Sequence, residues 1–230
     1  MSGLKENIEQ VLERIARAAS KVGRSLEEIT LVAVTKTVPP ELIREAVALG
    51  LKDLGENRVQ ELLKKQPLLA DLEINWHLIG HLQRNKVKYV WNRVKLIHSL
   101  DSLELARELD KRAGSAGGEV NVLVEVNVAQ ESTKFGLLVE QVPSFLKEAV
   151  GFEHLRILGL MTVAPLVDDP EEVRPVFRRL RELAKEVEAL RLPRVEMRYL
   201  SMGMSNDFEV AIEEGANMVR IGTAIFGPRE

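Results

Sequence analysis

Thr30-Leu-Val-Ala-Val-Thr-Lys36, followed by Thr37-Val-Pro-Pro40, is the stretch that decides the fold. The run is short, apolar and rich in β-branched residues up to its final lysine. It is too short for a buried helix and reads as a parallel strand covered on both faces. Pro39 and Pro40 then open a helix from Glu41 to about Leu49, and Gly50 ends it. A buried strand feeding a helix is one βα unit, and the pattern recurs. Strand candidates follow at Asp53–Gly55, Trp76–Gly80, Val94–Ser99, Val120–Val128, Ile157–Val163, Glu196–Ser201 and Met218–Gly222, which with Leu31–Lys36 makes eight. Helical stretches lie between them. The clearest is the amphipathic stripe Val173, Val176, Phe177, Leu180, Leu183, Val187 and Leu190. The loosest stretch, Ala113-Gly-Ser-Ala-Gly-Gly118, fits a helix-to-strand loop. Eight βα units in 230 residues predict an α/β fold, one (β/α)8 TIM-type barrel at the short end of its size range. A doubly wound open sheet is the alternative. It would place a glycine-rich turn after the first strand, and Thr35-Lys36-Thr37 is not one.

Ahead of the first strand, Leu4, Ile8, Val11, Ile15, Ala18 and Val22 recur at helical spacing, and Gly23 closes them. This predicts an extra N-terminal helix over residues 1–24, packed on the barrel, with 1–230 forming a single domain. Glu6, Glu9 and Glu13 interrupt any apolar leader core between Met1 and Arg24. No stretch approaches the roughly 18 uncharged apolar residues of a membrane span. The expected location is the cytoplasm. Composition agrees: 45% of residues are hydrophobic, enough for a large core. With 32 Lys+Arg against 35 Asp+Glu, the net charge of −3 excludes nucleic-acid binding by bulk positive charge. Cysteine is absent, so disulfides, thiolate chemistry and Cys-ligated zinc are excluded.

In a barrel the C-terminal strand ends meet at one mouth. Those ends carry Lys36; Glu56, Asn57 and Arg58; His81; His98 and Ser99; Asn127 and the loop Ser132-Thr-Lys-Phe-Gly136; Met161 and Thr162; Ser201-Met-Gly-Met-Ser205; and Arg220-Ile-Gly-Thr223. Gly203 and Gly222 free backbone N–H groups for close approach, while Ser201, Ser205 and Thr223 add hydroxyls. Ser205 is also placed to cap a helix over Asn206–Glu214. Together the two loops suit a phosphate, as barrels often hold one there. A lysine closing an apolar strand either lays its stem over the rim or, in a dry site beside a cation, offers a neutral amine to a carbonyl. Combined with the phosphate loops, Lys36 suggests a phosphorylated aldehyde. Arg220 shares a strand face with Met218 and Gly222 and needs an acceptor, either a carboxylate such as Glu56 or a ring nitrogen. His77 and His81 are four apart, but on a strand that spacing does not chelate, so no metal is assigned.

Ala33-Val-Thr-Lys36, Gly55-Glu-Asn57, His77-Leu-Ile-Gly-His-Leu-Gln-Arg-Asn-Lys86, Gly159-Leu-Met-Thr162, Leu200-Ser-Met-Gly-Met-Ser205 and Val219-Arg-Ile-Gly-Thr223 together resemble the pyridoxal phosphate homeostasis protein family, over about Ile29 to Gly227. The resemblance implies a barrel related to the alanine racemase N-terminal domain, and pyridoxal 5′-phosphate held as a Lys36 aldimine (a Schiff base). It implies phosphate contacts from Ser201, Gly203, Gly222 and Thr223, a cofactor lined by Asn57 and Met161, and Arg220 beside the pyridine nitrogen. The role it implies is vitamin B6 homeostasis, as a carrier or regulator with no assigned catalytic residue. A weak amino-acid racemase is the alternative, and a cofactor-free barrel enzyme acting on a sugar phosphate is a more distant one. Expected partners are the cofactor itself and apo-enzymes as its recipients, with no nucleic acid, no membrane and a monomeric state. The tail departs from the family pattern: the sequence stops at Glu230, so lysines of a longer basic tail are not expected at the mouth.

Overall fold

A computed structural model describes residues 2–228. Met1, Arg229 and Glu230, the last two being the end of the short tail, lie outside the described residues. In chain order the elements are α1 (Ser2–Lys21), β1 (Thr30–Val34), α2 (Pro40–Ala48), β2 (Asp53–Glu56), α3 (Val59–Lys65), β3 (Asn75–Leu78), α4 (Val87–Val90) and β4 (Leu96–Leu100). They continue with α5 (Leu103–Ser115), β5 (Val120–Glu125), α6 (Val142–Ala149), β6 (Leu155–Met161), α7 (Arg174–Ala189), β7 (Val195–Ser201), α8 (Phe208–Glu213), β8 (Met218–Ile221) and α9 (Thr223–Phe226). The strands follow one another round a closed parallel barrel, and β8 pairs back onto β1 with Val32 opposite Arg220. The expected barrel is therefore the fold, and the open sheet is excluded.

Strand periodicity splits the apolar residues into two layers. Val32, Leu96, Leu123, Leu158, Met161 and Met218 point inward and pack together, with Ile79, Val163 and Tyr199 against them. The opposite faces, with Leu54, Leu78, Ile97, Val122 and Leu160, pack under the helix stripes of Ile43, Leu62, Leu105, Leu109, Phe177 and Leu180. Helix α1 buries Leu4, Ile8, Val11 and Ile15, and packs against α8 and α9. Its polar side adds an Asn7 Nδ2 bond to the Ile225 carbonyl at 3.0 Å and an Arg14–Glu209 ion pair at 2.7 Å. The extra helix thus braces the two elements that follow the last strands.

Two strands stop sooner than their apolar runs suggest. β1 ends at Val34 because the Thr35 carbonyl accepts from the Lys65 ammonium, so Lys36 stands in a turn beyond the strand. β5 ends at Glu125, and the Asn127 N–H is carried to the Leu137 carbonyl across the base of a loop.

The register between β6 and β7 shifts between Ile157 and Gly159. Gly159 sits at φ +149°, and a Cβ there would lie 1.9 Å from the Tyr199 carbonyl oxygen. The clash is with backbone on the neighbouring strand, which cannot swing aside. Gly159→Ala is expected to lose more than about 3 kcal/mol of stability in urea unfolding, because backbone strain and overpacking add. A loss below about 1 kcal/mol would show that the bulge is not constrained in this way.

Candidate functional site

A cavity of about 750 Å³ opens at the C-terminal strand ends, within the range of small-ligand sites. Lys36, Asn57, Arg220, Gly222 and Thr223 line it, so five of the eight residues predicted for a ligand converge. Met161, Ser201 and Gly203 do not line it. Met161 packs in the inner cluster, and Ser201 is fully buried in the barrel interior. Gly203 sits at φ +97° with its missing Cβ 2.7 Å from Ala211 Cβ and 2.9 Å from Phe208 Cα. That glycine lets α8 close onto the loop. Ser205 does not cap α8. Asp207 occupies the position before it and accepts from the Met204 N–H at 2.6 Å, while Ser205 Oγ accepts from the Ala224 N–H at 3.3 Å. The loops after β7 and β8 are stapled together by that bond.

Lys36 is presented by a buried ionic knot. Lys65 on α3 donates to the Thr35 carbonyl at 2.6 Å, and to Glu56 Oε1 and Glu61 Oε1 at 2.7 Å each. Thr35 Oγ1 donates to the same Glu56 oxygen at 2.6 Å, and Glu61 also accepts from the Thr37 N–H. The knot thus grips the residues on both sides of Lys36. Thr37 is held at φ +63°, a region that β-branched residues rarely enter, so the turn is strained and its geometry imposed from outside. Burial pushes the Glu56 carboxyl above its ordinary range in spite of Lys65 and Thr35. Glu61 is held below its ordinary range, because the Lys65 and Thr37 bonds outweigh partial burial.

Glu56 is therefore engaged elsewhere and does not pair with Arg220. The Arg220 guanidinium, 4% exposed, donates to Ser201 Oγ at 2.6 Å and to the Thr162 carbonyl at 2.8 Å. No carboxylate lies in ion-pair contact with it among the described residues. Burial draws its pKa down to about 10, against the pull of Glu125 and Asp207, so it stays charged at neutral pH. Asn57 Oδ1, on the cavity wall, is buried with no hydrogen-bond partner.

Residues that sequence reading missed fill the remaining wall: Ile79, Leu166, Val167, Asp168 and Asn206. The segment after β6 shows no motif. Its place at the mouth follows from topology, and Asn206 Nδ2 fixes it by donating to the Val167 carbonyl at 3.0 Å. Glu125 also went unread. Burial and the Asp101 charge push its carboxyl up to about 7, and its Oε2 has no partner. The Ser132–Gly136 loop is pinned by Lys134, which donates to Glu131 at 2.9 Å and the Ala164 carbonyl at 3.0 Å. His77 lies inside the barrel, whereas His81 stacks on Phe135 at 3.8 Å on the rim, so the two do not converge.

The family model for the alanine racemase N-terminal domain matches residues 7–230. A pyridoxal phosphate homeostasis protein of Aquifex aeolicus is 51% identical over 225 residues, covering 98% of both chains. One of Pseudomonas aeruginosa is 41% identical, covering 100% of this chain and 97% of its own. The solved structure of PipY from Synechococcus elongatus with PLP bound superposes with a TM-score of 0.82 at 36% identity, covering 94% of this chain and 100% of the other.

Two outcomes follow from the charges. Lys65→Met leaves Glu56 and Glu61 without their ammonium and is expected to cost about 3 kcal/mol in urea unfolding, with Glu56→Gln restoring part of the loss. A cost under about 1 kcal/mol would mean the knot does not hold the turn. Glu125 binds its proton more tightly folded than unfolded, so stability falls as pH rises from about 4.5 through about 7. The loss is at most about 3 kcal/mol. Melts of Glu125→Gln should be flatter across this window, and an unchanged slope would reject the assignment.

Proposed function

Because the chain belongs to the alanine racemase N-terminal domain family and, within it, to the pyridoxal phosphate homeostasis proteins, we propose that its mouth cavity holds pyridoxal 5′-phosphate, bonded through Lys36, and that the protein serves vitamin B6 homeostasis as a carrier or regulator. The observation that carries this reading is the set of donors and acceptors on one wall. An amine (Lys36), a buried cation (Arg220), an orphaned carbonyl oxygen (Asn57 Oδ1) and the hydroxyl-bearing Ser205 and Thr223 line the space together with apolar side chains, Asp168 and Asn206. A planar, phosphorylated, hydroxyl-bearing aldehyde answers each of these groups, so the residues fit the cofactor. PipY, with PLP bound, supports the same reading.

When bound, the cofactor supplies an electrophilic carbonyl and an electron-withdrawing pyridine ring. The chain's own groups then divide the work. Lys36 Nζ, held at the mouth by the strained turn, is the amine that would hold the aldehyde end of the cofactor. Asn57 Oδ1 gains the donor it lacks. Ser205 and Thr223 would offer hydroxyls to phosphate oxygens, with Ser205 Oγ held in place by the Ala224 N–H that it accepts. Val34, Ile79 and Val163 would give the ring apolar walls. Arg220 would offer a ring nitrogen a proton that it does not give up, which would leave the ring a weak electron sink.

Racemisation would also need an acid or base facing Lys36. Tyr199 packs with the inner cluster and Tyr89 stands half-exposed on α4, so neither tyrosine lines the cavity. Asp168 is the carboxylate on the cavity wall, so a racemase would have to use it in place of a tyrosine. The proposed setting is a monomer in the cytoplasm that delivers to apo-enzymes.

Borohydride should fix the cofactor on Lys36, and Lys36→Ala should lose the visible absorption band. A band that persists, with the label on another peptide, would reject the site. Pyridoxal lacking the phosphate should bind at least about 100-fold more weakly, since several charge-assisted hydrogen bonds are lost. Equal affinities would remove the phosphate from the reading.

A further inference from the structure

Behind the cavity an unbroken file of side chains runs through the barrel interior. Arg220 NH1 donates to Ser201 Oγ at 2.6 Å, and Ser201 Oγ meets His98 Nδ1 at 3.0 Å. His98 Nε2 meets His77 Nδ1 at 2.9 Å, and His77 Nε2 meets Asp53 Oδ1 at 2.9 Å. Lys95 donates to the same Asp53 oxygen at 3.1 Å. The file passes from β8 through β7, β4 and β3 to the first residue of β2, which is the opposite end of the barrel from the mouth. Ser201, His98 and His77 are fully buried.

The two ends dictate every proton between them. A guanidinium can only donate, so Ser201 Oγ accepts from Arg220 and must pass its own hydrogen to His98 Nδ1. His98 then carries its proton on Nε2 and donates to His77 Nδ1. His77 in turn carries its proton on Nε2 and donates to Asp53, a carboxylate that can only accept. The opposite order would bring two donors onto Ser201 and strand its hydrogen. Electrostatics support the assignment. Burial, with His77 and Arg220 nearby, lowers His98 well below the ordinary imidazole range, and burial also lowers His77, so both rings are neutral. Bonds from His77 and Lys95 outweigh burial and hold Asp53 ionised.

We infer that His98, His77 and Asp53 are positioning residues for Arg220: a hydrogen-bond relay with one fixed proton order that aims the guanidinium at the cavity and couples its charge to Asp53 at the barrel floor. The proton order stands on the chain's own geometry. Its bearing on a ring nitrogen rests on the pyridoxal phosphate reading. The relay explains how a buried guanidinium is oriented with no carboxylate, among the described residues, in contact to quench its charge. Glu125 and Asp207 add to the field at Arg220 without touching it.

The test is long-range proton–nitrogen NMR of the full chain labelled with 15N-histidine, without ligand. His77 and His98 should both appear as neutral Nε2–H tautomers and remain so at pH values where exposed histidines titrate. Asp53→Asn lies outside the cavity, and it should shift the ring nitrogens of His98 as well as those of His77. Added pyridoxal phosphate should shift both rings in the wild-type protein. An Nδ1–H tautomer or an imidazolium at either position at pH 7, or an Asp53→Asn response confined to His77, overturns the relay. Predicted tautomers in a protein that fails to take up pyridoxal phosphate would support the relay and reject only the cofactor reading. Lys36-linked cofactor beside the wrong tautomers would do the reverse.

Discussion

A guanidinium buried in the barrel, with no carboxylate in contact among the described residues, is the constraint from which the interior follows. Arg220 cannot shed its proton to lower the cost of burial. Its charge must be met by oriented neutral groups and by more distant charges. The Thr162 carbonyl and Ser201 hydroxyl supply the first, and Glu125, Asp207 and the file ending at Asp53 supply the second. Two histidines and a serine occupy inner positions that an ordinary barrel fills with branched apolar residues. Apolar packing persists beside them through Leu96, Leu123, Met161 and Met218.

A second buried cluster serves the other side of the cavity. Lys65 bridges Glu56 and Glu61, and in doing so fixes Thr35 and Thr37 around Lys36. Both devices follow one design. The residue facing the cavity keeps its charge or lone pair available because a hidden partner on another element holds its neighbours. α1 extends this bracing to the last two βα units, through Asn7 on α9 and Arg14 on α8.

The barrel was legible because its strands are short apolar runs set at regular spacing between amphipathic helices, a pattern that local periodicity carries. Lys36, Asn57, Arg220 and Thr223 were legible as polar residues at strand ends, and Gly222 as a glycine among them, where topology makes them meet. Ser201 has the same sequence signature as they do, yet its hydroxyl turns inward, because the two-residue strand period places it on the face of Tyr199 and beside His98. Gly203 carries the signature of a glycine at a phosphate loop, and its φ of +97° and close approach to Ala211 give it a packing role that the sequence does not announce. The pairing of Glu56 with Lys65 rather than Arg220 depends on where α3 lies over the barrel, which no spacing in the sequence encodes. Leu166 and Asp168 carry no motif, and their place at the mouth is a product of closure.

The electronic consequence of the Arg220 arrangement can be read at one atom. Pyridoxal 5′-phosphate labelled with 15N at the ring, bound to the full chain, reports directly whether that nitrogen carries a proton. A charged donor held in place by the relay predicts the shift of an unprotonated, hydrogen-bonded pyridine at neutral pH, moving toward that of the free base in Arg220→Ala. A pyridinium shift in the wild-type protein would contradict it, since the ring would then face an acceptor rather than a guanidinium.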